Sequence, residues 1–338
     1  MNFSDIQKLN QINWWKNYSK QSDWESERDK WGRQNKGSYP HIVKEKWSVL
    51  LWEGIQEVLP KYVKNKIQVH SGVRNLLSSW IACANLYFPA RCHREFTKLL
   101  SGFLKSKVLI DEFKDSRVEL EFSLEDELSP KELLGETNGY RGSGQTSPDV
   151  AFEVTTPKGI GLILTECKYT EKSFYRCSAR RINDRGDKPG NPTPQICLQP
   201  ASSCDYISIP CHQLVWGRKY LKYFELSEVG KNKLTRCPAA TSGYQLVRQQ
   251  ALANGIYESG KYDFVVSSVA YDARNSTLIN CLKTTGIKDF RNEWAHIYKR
   301  GAGFVAWHHQ EWVNYVRSNC SKPIVNDWLN YMVARYGY

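Results

Sequence analysis

The chain has 338 residues, enough for one large domain or two of ordinary size. Its composition is globular, with 41% hydrophobic, 24% charged and 13% aromatic residues. The 47 basic and 35 acidic residues give a net charge of +12, which favours an acidic partner such as nucleic acid. The alternative is that this charge only keeps the protein soluble.

The start of the chain, MNFSDIQKLNQINWW, lacks the apolar core of a signal peptide. No apolar run approaches the roughly 20 residues that a membrane helix needs. We therefore expect a cytoplasmic protein without a membrane partner. In that compartment the 10 cysteines are expected to be thiols or metal ligands rather than disulfides.

Residues 1–116 are predicted to form a helical, Trp-rich region. Apolar residues at helical spacing predict one helix within 41–66, which Pro60 should end, and a second within 73–90, which Pro89 should end. A third helix is predicted over 92–106. The six early tryptophans are expected in the core rather than stacked on nucleobases: Trp14, Trp15, Trp24, Trp31, Trp47 and Trp52.

The middle of the chain mixes strand and helix signals. Residues 117–128 alternate in polarity and predict a strand, and the turn-forming residues 135–147 predict a flexible loop. Residues 211–226 are predicted to be helical. A further helix is expected to begin at the N-cap Ser242 and to stop at Gly255.

The last third of the chain is predicted to contribute two more strands. Val265, Val266 and Val269 favour a strand over 261–272, because β-branched residues suit strands. Residues 302–318 predict a short strand followed by a helix.

A hairpin within 148–172, PDVAFEVTTPKGIGLILTECKYTEK, carries charged residues on otherwise apolar strands. The sequence TPKG suits a tight turn. A turn centred between Pro157 and Lys158 places Asp149 opposite Glu166, and Lys168 projects from the same face. Ile163, Thr165 and Cys167 are then expected on the opposite face.

Two facing carboxylates repel each other, and a divalent cation would remove that repulsion. Hard oxygen ligands with positions left for water suit Mg²⁺. Lys168 would orient or deprotonate a water, or stabilise charge on a phosphate. The alternative reading of Asp149, Glu166 and Lys168 is an ion-pair cluster at a sheet edge.

The motif Pro148-Asp149, sixteen residues and then Glu166-Cys167-Lys168 resembles that of the PD-(D/E)xK nuclease superfamily, which includes many restriction endonucleases. The resemblance implies an α/β fold in which helices flank a central mixed sheet, within a nuclease core over 117–275. A helical N-terminal region would precede this core, and a C-terminal α/β extension over 276–338 would pack on it.

The resemblance also implies roles for these residues. Asp149 and Glu166 would bind Mg²⁺ or Mn²⁺, and Lys168 would be the catalytic lysine. Family members often add an upstream acidic residue, for which Glu121 is the first candidate, followed by Glu136 and Glu95.

RecB-like members carry a Gln and a Tyr on a helix after the motif. Here Tyr244, Gln245 and Gln249 occur in a different order, so Gln245 is a catalytic candidate on resemblance alone. The alternative is that Gln245 is an ordinary solvated residue.

Four cysteines, Cys177, Cys197, Cys204 and Cys211, follow the motif in an insertion over 177–211. A zinc site would fix such an irregular segment without a large local core. An iron–sulfur cluster is the other metal option, and buried free thiols are the alternative to both. Cys237 is a substitute ligand.

The segment after the hairpin is basic. Arg176, Arg180, Arg181 and Arg185 are predicted to contact DNA phosphates, with Arg176 and Arg180 on one face if the segment is helical. A solvated basic surface is the alternative. His308 and His309 are adjacent and should point apart.

Together these features predict a Mg²⁺-dependent DNA endonuclease acting in restriction, phage defence or DNA repair. One alternative is a catalytically silent nucleic-acid-binding protein on the same fold. Another is a protein whose aromatic helices form a partner interface. A homodimer is compatible with the first prediction, because double-strand cutters commonly need two active sites.

Overall fold

The computed structural model describes residues 1–19, 41–43, 46–108, 115–157, 159–203, 211–299 and 301–338. Trp24, Trp31, Lys158 and Cys204, which carried sequence predictions, lie outside these ranges. Within them, no helix combines the length and apolar character needed to cross a bilayer.

A five-stranded mixed sheet forms the centre of the fold, with its strands in chain order. The strands are β1 Asp115–Leu120, β2 Val150–Thr156, β3 Gly159–Lys168, β4 Phe264–Tyr271 and β5 Gly303–His308. The first three strands pair antiparallel, whereas β3–β4 and β4–β5 pair parallel. The predicted α/β architecture with a mixed sheet flanked by helices is therefore confirmed.

Helices surround the sheet. Those before it are α1 Phe3–Ser19, α2 Glu53–Gln56, α3 Val58–Val63, α4 Ser79–Tyr87, α5 Pro89–Cys92 and α6 Arg94–Lys107. Those between strands are α7 Pro130–Leu134, α8 His212–Val215, α9 Tyr220–Tyr223, α10 Glu228–Lys233, α11 Tyr244–Glu258, α12 Ser276–Ile279 and α13 Phe290–Glu293. The last two are α14 His309–Asn319 and α15 Pro323–Tyr336.

The sheet separates two hydrophobic cores because strand side chains alternate between its faces. Ile163 and Cys167 of β3 belong to the core that contains α4, α6, α14 and α15. Leu162 and Leu164 belong to the other core, which α11 covers. Glu166 and Lys168 share the parity of Leu162, so they project on the α11 side.

The tryptophans of the N-terminal region are largely internal. Trp14, Trp15 and Trp52 are buried, as predicted, whereas Trp47 is half-buried against the same core. The proposed three-part division of the chain stays a prediction, although α1 contacts α15 and α6 contacts α14.

One of the two prolines that were predicted to end helices does not do so. Pro60 lies inside α3, so its predicted helix stop is wrong. A proline in the first helical turn is tolerated because that turn needs no N–H donor there. Pro89 does follow the end of α4, but it also begins α5.

Other boundaries also differ from prediction: β1 ends at Leu120, within the strand predicted over 117–128. A π-helical turn, Ala239–Gly243, contains the predicted N-cap Ser242, and α11 runs through Gly255 to Glu258. Gly255 lies within the helix, and Leu133 and Tyr223 pack beside it. Residues 211–226 form the two single turns α8 and α9 instead of one helix, with Gly217 between them at φ 71°.

Candidate active site

The hairpin of β2 and β3 has the predicted register. Val150 pairs with Thr165 and Thr156 with Gly159, so the ladder, continued by one residue, places Asp149 opposite Glu166. Asp149 Oδ2 accepts a 2.7 Å hydrogen bond from the Cys167 backbone N–H, which ties this carboxylate to β3. Lys168 Nζ donates to Glu166 Oε1 at 2.7 Å, and both side chains are nearly fully buried.

Glu121, the first upstream candidate, reaches the same row. The β1–β2 ladder continues past Leu120, where the Glu121 N–H donates to the Asp149 carbonyl at 3.0 Å. Glu121 has φ 46°, a left-handed conformation that costs energy in a residue with a side chain. Glu121, Asp149 and Glu166 therefore follow one another across three adjacent strands.

The buried carboxyl groups in this row are strongly perturbed. Burial raises the pKa of Glu121 to about 8, and the charge of Glu166 contributes in the same direction. Burial, followed by the charge of Glu166, also raises the pKa of Asp149 well above its usual value. Each shift reflects the cost of negative charges crowded in a place with little water.

The lysine responds in the opposite sense. Burial acts to lower the pKa of Lys168, but the carboxylates of Glu166, Glu171 and Asp149 outweigh it and raise that pKa above its usual value. The Lys168 ammonium therefore stays charged at neutral pH. It is a fixed cation beside the carboxylate row.

Gln245 joins this group although its position in the chain departs from the family pattern. It lies in the first turn of α11, and its Nε2 donates to Glu166 Oε1 at 2.6 Å. Its Oε1 is buried without a hydrogen-bond partner among the described residues. Gln249 does not reach the patch, because its amide bonds the Leu164 carbonyl, Ser267 and the Ser268 carbonyl inside the core.

The other upstream candidates lie elsewhere. Glu136 pairs with Arg248 at 3.1 Å and accepts hydrogen bonds from Thr146 and Tyr220. Glu95 pairs with Lys322 at 2.9 Å. Their carboxylates are thus engaged with other partners, which leaves Glu121 as the upstream acid beside Asp149.

The structure adds three residues, His309, Glu171 and Tyr175, that the sequence did not assign to this site. His309 Nε2 forms a hydrogen bond of 3.1 Å with the Lys168 carbonyl. The charge of Glu171 helps to raise the pKa of Lys168. The Tyr175 ring lies over the Lys168 ammonium. Glu171 and Tyr175 lie three and seven positions after Lys168, and this closeness in sequence could have identified them as site residues. No sequence feature near His309 predicted its contact with Lys168. The neighbouring His308 pairs with Glu311.

The basic segment is exposed but mostly irregular. Arg176, Arg180, Arg181 and Arg185 are all exposed, and a short 3-10 turn, Ser178–Arg180, is the regular element there. The condition for a common helical face of Arg176 and Arg180, a helical segment, is therefore not met. Arg176 is fixed by a 2.8 Å bond from its Nε to the Thr241 carbonyl.

Cys177, Cys197, Cys211 and Cys237 line one cavity of about 460 Å³ beside α11. The lining of this cavity does not include Asp149, Glu166 or Lys168. Burial raises the pKa of Cys237, and the other three thiols add to that shift. Throughout the described ranges, no group of three or more His, Cys, Asp and Glu side chains is arranged to hold a metal ion.

Residues 16–337 match a family model described as "Restriction Endonuclease associating with ARP". The chain belongs to this restriction endonuclease family. Membership indicates a nuclease-related role. No curated protein and no solved structure matched the chain.

Proposed function

We propose that the protein is a Mg²⁺-dependent deoxyribonuclease whose active site is the patch formed by Asp149, Glu166 and Lys168. The observation that carries this proposal is the pair of facing carboxylates on β2 and β3, with a buried ammonium 2.7 Å from one of them. Family membership supports it, because restriction endonucleases act on DNA.

The residues present suit a hard divalent cation. Asp149 and Glu166 would provide two carboxylate ligands, and water would complete the coordination, as is common for Mg²⁺. The buried, unpartnered Oε1 of Gln245 is an acceptor suited to such a water. Glu121, beside Asp149, would add a third carboxylate to this site.

The bound cation would supply Lewis-acid activation of the phosphodiester. Lys168 would stabilise negative charge that develops on the phosphate and orient the attacking water. Its ammonium donates to Glu166 Oε1 at 2.7 Å, so it is already held beside the proposed ligands, which suits a charge-stabilising role. Gln245 and Lys168 together fix the orientation of Glu166.

The exposed arginines would hold the DNA backbone. Arg176 follows Tyr175, whose ring lies over the Lys168 ammonium, and Arg180, Arg181 and Arg185 come next in the same exposed segment. Contacts of this kind position a strand without reading its sequence. The predicted homodimer and the pathway in which the enzyme acts stay predictions.

Cleavage of supercoiled plasmid and single-stranded DNA tests this function. Wild-type protein should cut with Mg²⁺ and not with EDTA. Lys168→Ala should lower the rate by about 10²–10³-fold, because it removes a preorganised charge from the site. Asp149→Asn, which keeps the shape of the side chain, should do the same.

Lys172→Ala is the matched control, because Lys172 is exposed four positions further along the chain. Circular dichroism and thermal melting establish that each variant is folded. Cutting that persists in folded Lys168→Ala and Asp149→Asn would contradict the proposed site. DNA binding without cutting by the wild type would favour the catalytically silent alternative.

A further inference from the structure

Tyr175 is an exposed aromatic residue at the edge of the candidate active site. Its side chain is 58% exposed, although its ring centroid lies 5.5 Å from Lys168 Nζ. Lys168 itself is buried beneath it. An exposed ring therefore lies over the proposed catalytic ammonium.

The backbone of Tyr175 is in an unfavourable conformation for tyrosine. Its φ of 56° lies in the left-handed region, which glycine and asparagine adopt far more readily. Strained residues of this kind concentrate at functional sites.

Neighbouring residues fix the strained conformation on both sides. The Tyr244 N–H donates to the Tyr175 carbonyl at 3.1 Å, so α11 begins against this residue. The Phe174 N–H donates to the Ser242 carbonyl and the Cys177 N–H to the Ala239 carbonyl, both at 2.8 Å. Backbone hydrogen bonds on both sides of Tyr175 therefore hold in place the residue that carries the exposed ring.

We propose that Tyr175 forms a stacking subsite for a nucleobase adjacent to the scissile phosphate. This inference rests on the proposed nuclease function. A phosphate near Lys168 would place the base of its own or the next nucleotide beside the exposed ring. Arg176, the next residue, is exposed and fixed to Thr241, where it would contact the following phosphate.

Such a subsite selects the form of the substrate. A base in a duplex must unstack from its neighbours before it can stack on a protein ring. Every base has an aromatic face that can stack in this way. The subsite would therefore favour single-stranded DNA, frayed ends or flipped bases over continuous duplex. It would not impose a sequence.

Binding of a single-stranded oligonucleotide containing 2-aminopurine, in EDTA so that no cleavage occurs, tests the proposal. Wild-type binding should change the fluorescence of this base by stacking. Tyr175→Ala should weaken binding by about 5- to 150-fold and abolish the fluorescence change, as expected for loss of one stacked base. Tyr175→Phe should retain both.

Two controls separate stacking from other effects. Tyr257→Ala removes another exposed tyrosine, on α11 and about 18 Å along the helix from Gln245, and should bind like wild type. The salt dependence should be unchanged in Tyr175→Ala, which removes no charge, and shallower in Arg176→Ala, which removes one phosphate contact. Tyr175→Gly, which suits the left-handed backbone, should keep its melting temperature while losing affinity.

The outcomes distinguish this proposal from the nuclease function. Equal affinity of wild type and Tyr175→Ala would overturn the subsite and leave the nuclease intact. Weakened binding by Tyr175→Ala, in a protein that binds DNA without cutting it, would support the subsite and overturn the nuclease. Absence of DNA binding by the wild type, with Mg²⁺ as well as in EDTA, would overturn both.

Discussion

His309 is a buried neutral histidine that fixes the backbone at Lys168. Its Nε2–H donates to the Lys168 carbonyl at 3.1 Å, and its Nδ1 faces the Tyr87 hydroxyl at 3.4 Å. The indole N–H of Trp307 donates to that same hydroxyl at 2.9 Å. This chain of contacts satisfies the imidazole in one neutral tautomer, so protonation would place an uncompensated charge in the core.

The free energy of unfolding should therefore depend on the protonation of His309. Burial lowers the pKa of His309 to about 4, against the weaker opposing effects of Asp272, the Lys168 carbonyl and Glu171, and His308 lowers it further. A histidine with a depressed pKa gives its full stability above the unfolded-state pKa of about 6.5 and loses it as pH falls towards 4. The loss from this residue between pH 7.5 and pH 5 should be about 2 kcal/mol.

Urea unfolding of wild type and His309→Gln at both pH values measures this difference. The glutamine variant can still donate to the Lys168 carbonyl but does not titrate. It should therefore lose less stability on acidification than the wild type does. The comparison cancels the contributions of Asp149 and Glu121, so equal losses in both proteins would contradict the assignment.

Among the secondary-structure elements, the β2–β3 hairpin was the most predictable from sequence. The TPKG turn fixes its register, and a period of two then assigns Asp149, Glu166 and Lys168 to one face. The family motif adds the chemistry. A short local signal was sufficient because both strands and their connection lie within 25 residues.

Elements that depend on distant contacts were less predictable. Gln245 reaches Glu166 because α11 packs on the sheet, and Glu121 reaches Asp149 through β1–β2 pairing, so no spacing rule identifies either one. Gly255 continues α11 where its residue type predicted a stop. In each case tertiary packing outweighs local propensity.

The cysteine-lined segment is the element whose chemistry stays open. Cys177, Cys197, Cys211 and Cys237 share one cavity, and the Cys237 N–H donates to the Cys197 carbonyl at 3.0 Å. The backbone bond and the shared cavity bring together cysteines far apart in sequence. The described side chains form no group arranged to hold a metal, and the predicted ligand Cys204 lies outside the described ranges, so zinc or an iron–sulfur cluster stays a prediction.

Metal analysis of protein purified without added metal tests that prediction. A metal site would give about one equivalent of zinc, or several of iron with visible absorbance, per chain. Cys177→Ser should lose this metal and some thermal stability. Cys281→Ser, outside the cavity lining, should retain it, and a wild-type protein free of both metals would contradict the prediction.

The molecule as a whole is held together by contacts between residues distant in sequence. Arg335 of α15 is 2% exposed, and its guanidinium donates to the Leu50 carbonyl and to the Tyr331 hydroxyl. Its Nε donates to Gln11 of α1 at 3.2 Å, and its charge lies 4.6 Å from the Trp14 ring centroid. One buried side chain thus joins α1, the turn at Leu50 and α15.

Arg335→Ala should lower the free energy of unfolding by about 3 kcal/mol, because it removes several buried hydrogen bonds and leaves a cavity. Val333→Ala is the matched control, since Val333 is exposed on the same helix and should change stability by about 0.5 kcal/mol or less. Urea unfolding measures both. Similar small losses in the two variants would show that Arg335 does not join these segments energetically.

The bond between Lys168 and His309 also has a consequence for translation. The two residues are 141 positions apart, so a ribosome adding roughly 5–20 residues per second makes the histidine about 7–30 s after the lysine. Throughout that interval β3 lacks this bond, and for most of it β3 also lacks its parallel partner β4. The patch is therefore assembled late in synthesis, and a chain released early would lack the support beneath its lysine.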